Sequence, residues 1–376
     1  MSKYCYFPIL KTRPSEVNAY DSLADNIKEE VLPIIEMTGE LGYTYSKNCK
    51  DENCRGVRRP GDINKKITKI LDFMGNKRFV LDITDDSSLK YDGLSATGSG
   101  LLNPNNGYRN WLDFLQRNDT FKRLVIPTIQ FDTTYRQDVQ MQIEELKNHF
   151  DYMAIKLPST TDAKIINQVI DFVTNIIGVN KLFVILDFDF IKSFTQKETS
   201  EYVKPIDVSK IKALIPVSSS FPASVIHIDK ICGSIDILEN QLSDCIRQTL
   251  GNKVFHGDFS SIHPTRYEMG GGGWYPRIDY IERDLRTKKP IKYHFFRGTG
   301  RNTSSEYVEL AKRVTEAKNY VPISEFNVAG DLQIKKKAKG EMEGKAPSYW
   351  IAVRSNLYLT MQYLYLRRQP DAFLYL

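Results

Sequence analysis

No stretch of about 20 apolar residues, the length a bilayer-spanning helix needs, occurs in the 376-residue chain. The opening MSKYCYFPILKTRP contains no hydrophobic signal region. The expectation is a soluble, cytoplasmic protein with no membrane partner. Cysteine is scarce: Cys5, Cys49, Cys54, Cys232 and Cys245 are too few and odd in number for a disulfide framework. Reduced thiols are expected. Cys49 and Cys54, in CKDENC, offer half of a zinc site, but the other cysteines and the five histidines supply no second pair at short spacing. The four glycines at 270–273 lack the strand-to-helix setting and the trailing Lys-Ser/Thr of a phosphate-binding loop, and mark backbone that turns freely. A nucleophile elbow and a Ser-His-Asp signature are also missing.

What the chain has is recurrence. Eight short apolar runs end on, or just before, a polar side chain: Lys11, Glu36, Asp82, Gln130, Lys156, Asp187, Ser219 and Asp258. The runs are rich in β-branched and aromatic residues and lack a helical period, so each reads as a strand buried on both faces. Most intervening segments are long enough for a crossover helix. The first of these, SEVNAYDSLADNIKEE, carries an N-cap candidate at Ser15. Eight such units predict a closed (β/α)8 barrel over residues 1–265, whose reacting groups sit at the carboxyl ends of the strands. Prolines at 8, 33, 127 and 216 each precede the terminal polar residue by three. Because proline removes a ladder donor, each is expected at or near the first paired position of its strand. The segment 86–106 is too long and too rich in Gly, Ser and Asn for a minimal connection, and reads as a lid, a partner contact or disorder.

Residues 266–376 are expected to form a basic α+β extension packed on the barrel. The last region is where positive charge accumulates: residues 276–376 hold 19 Lys+Arg against 11 Asp+Glu, whereas residues 1–275 hold 33 against 35. Such a surplus suits nucleic acid, a nucleotide or an acidic protein partner, or simply a solvated face such as IKKKAKGEMEGK. A long apolar helix, APSYWIAVRSNLYLTMQYLYLRR, closes the extension and reads as a packing face.

Barrel layers draw side chains from alternate strands, so the terminal polar residues divide into Lys11, Asp82, Lys156 and Ser219 from the odd strands and Glu36, Gln130, Asp187 and Asp258 from the even ones. Ammonium groups and carboxylates converging there would perturb each other's ionisation, the condition for acid and base roles, unless they only neutralise one another. Glu36, Asp187, Asp258 and Lys156 are the catalytic candidates. Glu36, Asp82, Asp187 and Asp189 could hold Mg²⁺, with Asp187 and Asp189 the best pair because FDFDF places them on one strand face. Lys11 or Lys156 could instead form a Schiff base or bind an anion. Ligand-binding candidates are Lys11, Arg13, Asp82, Gln130, Ser219, Ser220, His263 and Arg297, with Arg266, Arg277 and Arg301 as further donors suited to phosphate. His256 and His263 lie near enough to the strand ends for acid–base work, or serve as hydrogen-bonded core residues.

Together, YFPILKTRPSEVNAY, VLPIIE, SSSFP, GDFSSIHP, Arg297-Gly298 and Gly330-Asp331 resemble, in that order, the beta protein family, which takes its name from a satellite-phage gene. In that family the gene accompanies a toxin-like gene in a mobile-element cluster associated with phage resistance and is thought to restrain the toxin. The resemblance implies an anti-phage defence role and a partner encoded by a neighbouring defence or toxin gene, and brings no catalytic residues with it. The expected function is binding of a phosphate-bearing ligand, a nucleotide or a nucleic-acid end, at the barrel mouth, with metal-assisted phosphoester hydrolysis as the enzymatic form. A non-catalytic subunit that binds and restrains a toxin is the alternative.

Overall fold

The computed structural model describes residues 2–39, 41–44, 57–60, 63–90, 92–225, 231–265, 274–301, 304–325, 327–342 and 346–376. Cys49, Cys54, Arg266 and the glycines at 270–273 lie outside the described residues. The eight apolar runs form strands: β1 (Phe7–Lys11), β2 (Ile34–Met37), β3 (Phe79–Ile83), β4 (Val125–Pro127), β5 (Met153–Pro158), β6 (Leu182–Phe190), β7 (Ala213–Ser219) and β8 (Gly257–Asp258). All pair in parallel, in the orders β8-β1-β2-β3-β4 and β7-β6-β5. Single parallel bridges, Thr128 to Ala154 and Leu214 to Val254, join the two sheets at either side. The fold is α/β, built on parallel sheets.

Burial on both faces explains the continuous apolar runs, since every side chain from Leu182 to Leu186 is out of water. One face carries Phe7, Ile9, Ile34, Val80, Ile126, Ala154, Phe183, Ile185, Ile215 and Val217, together with Phe255 and Phe259 beside β8, in a cluster of its own. The opposite face packs on the helices through a second, larger cluster. α1 (Pro14–Asp21) takes Arg13 as its N-cap, one residue before proline at the first helical position, instead of starting at Ser15. After it come α2 (Asn64–Met74), α3 (Asn105–Gln116), α4 (Arg136–Lys147), α5 (Ala163–Ile177), α6 (Gln196–Val203) and α7 (Glu239–Leu250). In α5 the spacing Ile166, Val169, Ile170, Val173 and Ile177 makes one apolar face. Asp162 caps its start by accepting from the Lys164 N–H, and Gly178, at φ 90°, ends it.

Proline placement departs from the expected strand starts at β4, where Pro127 is the last residue, and at β7, where Pro216 is central and pairs with Leu186. The Leu214 N–H points to the β8 side, donating to Lys253 O, so the donor that Pro216 lacks belongs to the same side. There the pairing with β8 is reduced to the Leu214–Val254 bridge. The segment after β3 holds two short 3₁₀ turns, Ser87–Leu89 and Asp92–Leu94, and buries Leu89, Leu94 and Leu101, so it is packed against the body of the protein.

Past β8, the strands β9 (Arg277–Arg283) and β10 (Pro290–Arg297) form an antiparallel sheet whose third member is Cys232–Asp236. A division at 265/266 therefore separates strands that hydrogen-bond to one another. Helix α8 (Pro347–Leu366) is buried nearly all round between α1 and β9, which is why its sequence is apolar on every side. The chain ends meet, since Lys3–Tyr4 pairs with Leu374–Tyr375.

Candidate functional site

At the ends of β1, β2 and β3 the register places Lys11 beside Glu36 and Glu36 beside Asp82. These side chains continue the face that carries Phe7, Ile34 and Val80, so they cap an apolar core and are almost wholly buried. Lys156 of β5 reaches across to them. Its Nζ lies 2.7 Å from Glu36 Oε1, 2.8 Å from Asp82 Oδ2 and 2.8 Å from Asp85 Oδ2. Lys11 Nζ is 3.5 Å from Glu36 Oε2 and 3.9 Å from Asp86 Oδ2, and donates to the Pro264 carbonyl. Thr128 donates to Asp82 Oδ1 at 2.8 Å, and Gln130 donates to Thr128 at 2.9 Å. Glu36 contacts both lysines, so the odd and even sets meet in one network, in contrast to the two separate layers expected.

Burial lowers the proton affinity of Lys156, but Asp82, Glu36 and Asp85 outweigh it and hold its pKa well above the usual lysine value. A permanently protonated amine cannot attack a carbonyl, so this lysine is a fixed cation and does not suit Schiff-base chemistry. One ammonium cannot neutralise three carboxylates. Burial pushes Asp82 up despite Lys156, while Asp85, against desolvation by its neighbours, is pulled down by Lys156. Asp187 of β6, half-buried nearby, is raised to about 7, chiefly by burial and against the pull of Lys156. Glu16, in the first turn of α1, is also raised to about 7 by burial, although Arg13 lowers it and its Oε2 accepts from the Lys11 N–H at 2.6 Å.

Asp187 makes stability depend on pH. Its folded-state pKa lies above the unfolded value near 4, so between these values the folded protein holds a proton that the unfolded chain has released. Stability is therefore fully present below about pH 4 and is lost as pH rises through about 7. Asp187→Asn removes this loss. Between pH 5 and pH 8, urea titrations should show the wild type losing about 2–3 kcal/mol more than the variant.

Several expected site residues are placed elsewhere. Asp258 faces away from the lysines, because the β8 residue on the inward face is Gly257, in register with Phe7. A Cβ there would lie 2.6 Å from Val217 Cγ1 and 2.8 Å from Ile215 Cγ2. Asp258 instead accepts hydrogen bonds from Tyr6 (2.7 Å), Tyr358 (3.2 Å) and the Ser260 N–H (2.8 Å), with His256 Nε2 at 3.0 Å. It joins β8 to α8. Asp189 is exposed, at φ 53°, and its N–H donates to Asp187 Oδ1, so the extended alternation that would align the two carboxylates is broken. Among the described residues no three His, Cys, Asp or Glu side chains come together in a way that could hold a metal ion. The Asp187–Asp189 pair does not fit Mg²⁺, and Lys156 already stands among Glu36, Asp82 and Asp85. The Ser220 N–H and hydroxyl both go to buried Glu239, at 2.8 Å each, and Ser219 accepts from the Phe221 N–H in its own turn.

Beside the carboxylate–lysine network lies a cleft of about 480 Å³ lined by Arg13, Ser15, Phe221, His263, Arg277 and Arg354, among others. Its walls are the segments after β1, β7 and β8, with β9 and α8. Arg354 is buried, its guanidinium 3.8 Å from the Phe221 ring centroid, and it pairs with Asp279. Arg277 Nε also meets Asp279, at 2.9 Å. Arg13 makes no carboxylate ion pair within 4 Å among the described residues, though its charge acts on Glu16. His263 packs on Phe190 with ring centroids 4.9 Å apart, linking the cleft to the end of the Asp187 strand. Three arginines against one carboxylate, beside the amino end of α1, make an anion-attracting concavity. Sequence reasoning missed Glu16, Asp85, Asp86 and Arg354. A lone arginine within an otherwise apolar helix was the available signal for Arg354, and the period-two series Asp82, Thr84, Asp86 was the signal for Asp86.

Residues 6–363 match the beta protein family. The chain belongs to that family. It is 29% identical over 375 residues to Protein beta of Enterobacteria phage P4, covering 96% of this chain and 93% of that protein. Among solved structures, two single-residue variants of the tryptophan synthase α-subunit from Pyrococcus furiosus overlap with TM-scores of 0.39 and 0.38 at 10% identity. They cover 69% of this chain and 89% of each of theirs. No described helix of this beta-family chain is long and apolar enough to cross a membrane.

Proposed function

We propose that the eight parallel strands close into a (β/α)8 barrel whose mouth binds a phosphate-bearing ligand, in an anti-phage role of the kind the family resemblance implies. The bridges on either side of the two sheets support closure, and the packing of α8 beside α1 fits an eighth helix in the surrounding ring. The single observation that carries the ligand reading is the cleft with Arg13, Arg277 and Arg354 at the carboxyl ends of the strands. Arginine forks match phosphate oxygens, and the segments after the seventh and eighth strands are where such barrels commonly hold phosphate. Asp187, with a pKa of about 7, is the group suited to exchange a proton with a ligand near neutral pH. Lys156 supplies fixed positive charge. The donor set gives no support to a metal-assisted hydrolytic step, so the reading is anion binding with proton transfer at Asp187.

Isothermal titration of inorganic phosphate into the full chain tests this. Arg13→Ala breaks no described ion pair within 4 Å, and Glu16, which loses the nearby charge, keeps its hydrogen bond from the Lys11 N–H, so folding should survive. A charged hydrogen bond contributes about 1.5–3 kcal/mol, and affinity should fall roughly ten- to a hundredfold. No binding to the wild type, or equal binding to the variant, overturns the reading.

A further inference from the structure

We propose that the anion cleft continues into a nucleobase platform formed by Tyr275 and Arg297, so that the ligand is a nucleoside 5′-monophosphate unit, free or at the end of a strand. The proposal rests on the phosphate reading above and names the chemistry of the rest of the ligand. Tyr275 lies two residues before Arg277, just outside β9, and the Gly298 N–H donating to Pro276 O carries the pairing with β10 toward it. Arg297 of β10 is the cross-strand partner of Arg277. Its guanidinium stands 4.2 Å from the centroid of the Tyr275 ring, and no described carboxylate pairs with it. The cleft arginine Arg277 is thus flanked by an aromatic ring and a second arginine on a rigid antiparallel sheet.

Tyr275 is 37% exposed, whereas Phe221, the ring under Arg354 and Arg277, is 4% exposed. An exposed phenol held under a guanidinium beside a phosphate site suits a planar, electron-rich group, because bases stack on both aromatic rings and arginine planes. A sugar phosphate without a base would leave this surface uncovered. In the arrangement proposed, phosphate occupies the side of Arg13, Arg277 and Arg354, ribose crosses the Arg277–Arg297 pair, and the base lies on Tyr275.

The test compares ribose 5-phosphate, adenosine 5′-monophosphate and a 5′-phosphorylated deoxyadenosine oligonucleotide by titration into the full chain. Adenosine 5′-monophosphate should bind about tenfold more tightly than ribose 5-phosphate, within the range that base stacking supplies. Tyr275→Ala should abolish that difference while leaving ribose 5-phosphate unchanged, and Tyr275→Trp should preserve it. An oligonucleotide binding as tightly as the mononucleotide assigns the site to strand ends; weaker binding assigns it to free nucleotides, and both outcomes support the platform. Equal wild-type affinity for the nucleotide and the sugar phosphate, or a Tyr275→Ala loss shared by both, overturns the platform alone. Binding of none of the three overturns the phosphate reading as well.

Discussion

Replacing Lys156 by Ala should destabilise the protein by about 3–5 kcal/mol at pH 7.5, the range for a buried ion pair stripped of one partner. The size follows from the site: one ammonium lies within 2.8 Å of oxygens from Glu36, Asp82 and Asp85, and Glu36 and Asp82 are almost out of contact with water. Without the lysine these carboxylates face one another above an apolar core. Among the described residues Lys11, 3.5 Å from Glu36, and Lys90, 3.9 Å from the exposed Asp85, remain as counter-charges, and Asp82 has neither within 4 Å. The chain's remaining response is to protonate, which costs more as pH rises. The deficit should therefore shrink toward pH 5, where Asp82, already raised by burial, takes up a proton most readily. Urea denaturation of wild type and variant at both pH values measures it. A deficit below about 1 kcal/mol at pH 7.5 would mean that the network behaves as an exposed ion pair, and the account of Lys156 as the fixed cation of the site would fail.

Asp258→Ala should cost a comparable amount, about 3–5 kcal/mol, for a different reason. Asp258 is fully buried and serves as the shared acceptor for Tyr6, Tyr358 and the Ser260 N–H, with Gln362 Nε2 at 3.4 Å. Tyr6 and Tyr358 are themselves fully buried, so removing the carboxylate leaves hydroxyl donors with no water to turn to, at about 1–3 kcal/mol for each group. Asp258→Asn keeps an acceptor oxygen and should cost less. Because Asp258 faces α8 and not the lysines, phosphate affinity measured on the folded variant should match the wild type. An affinity loss with stability unchanged would restore Asp258 to the binding face and contradict the geometry.

These two residues also show how far the site could be read from the chain. The eight strand ends were legible because burial on both faces forces long apolar runs, and the first polar residue after each run marks where the strand emerges. Aligning the runs by that residue brought Lys11, Glu36, Asp82, Lys156 and Asp187 to the same ends of the strands, but set them in two layers where Glu36 in fact joins both lysines. The same rule failed at β8, where the terminal polar residue Asp258 lies on the outward face. A glycine occupies the inward position there because Val217 and Ile215 leave no room for a Cβ, and successive side chains of a strand point to opposite faces. At Asp189 the period-two rule failed because the backbone turns to positive φ at that residue.

The chain alone determined the α/β class, the positions of the strands and the concentration of ionisable groups at their carboxyl ends, since hydrophobic period and chain polarity are local properties. Only the tertiary structure decided which charges meet. Arg13, Arg277 and Arg354 come from three distant segments and share a cleft. The segment Cys232–Asp236 crosses the expected domain boundary to pair with β10, and α8 returns to pack beside α1. Such meetings depend on how whole layers pack to exclude water, a property of the assembled surfaces that no short window of sequence contains.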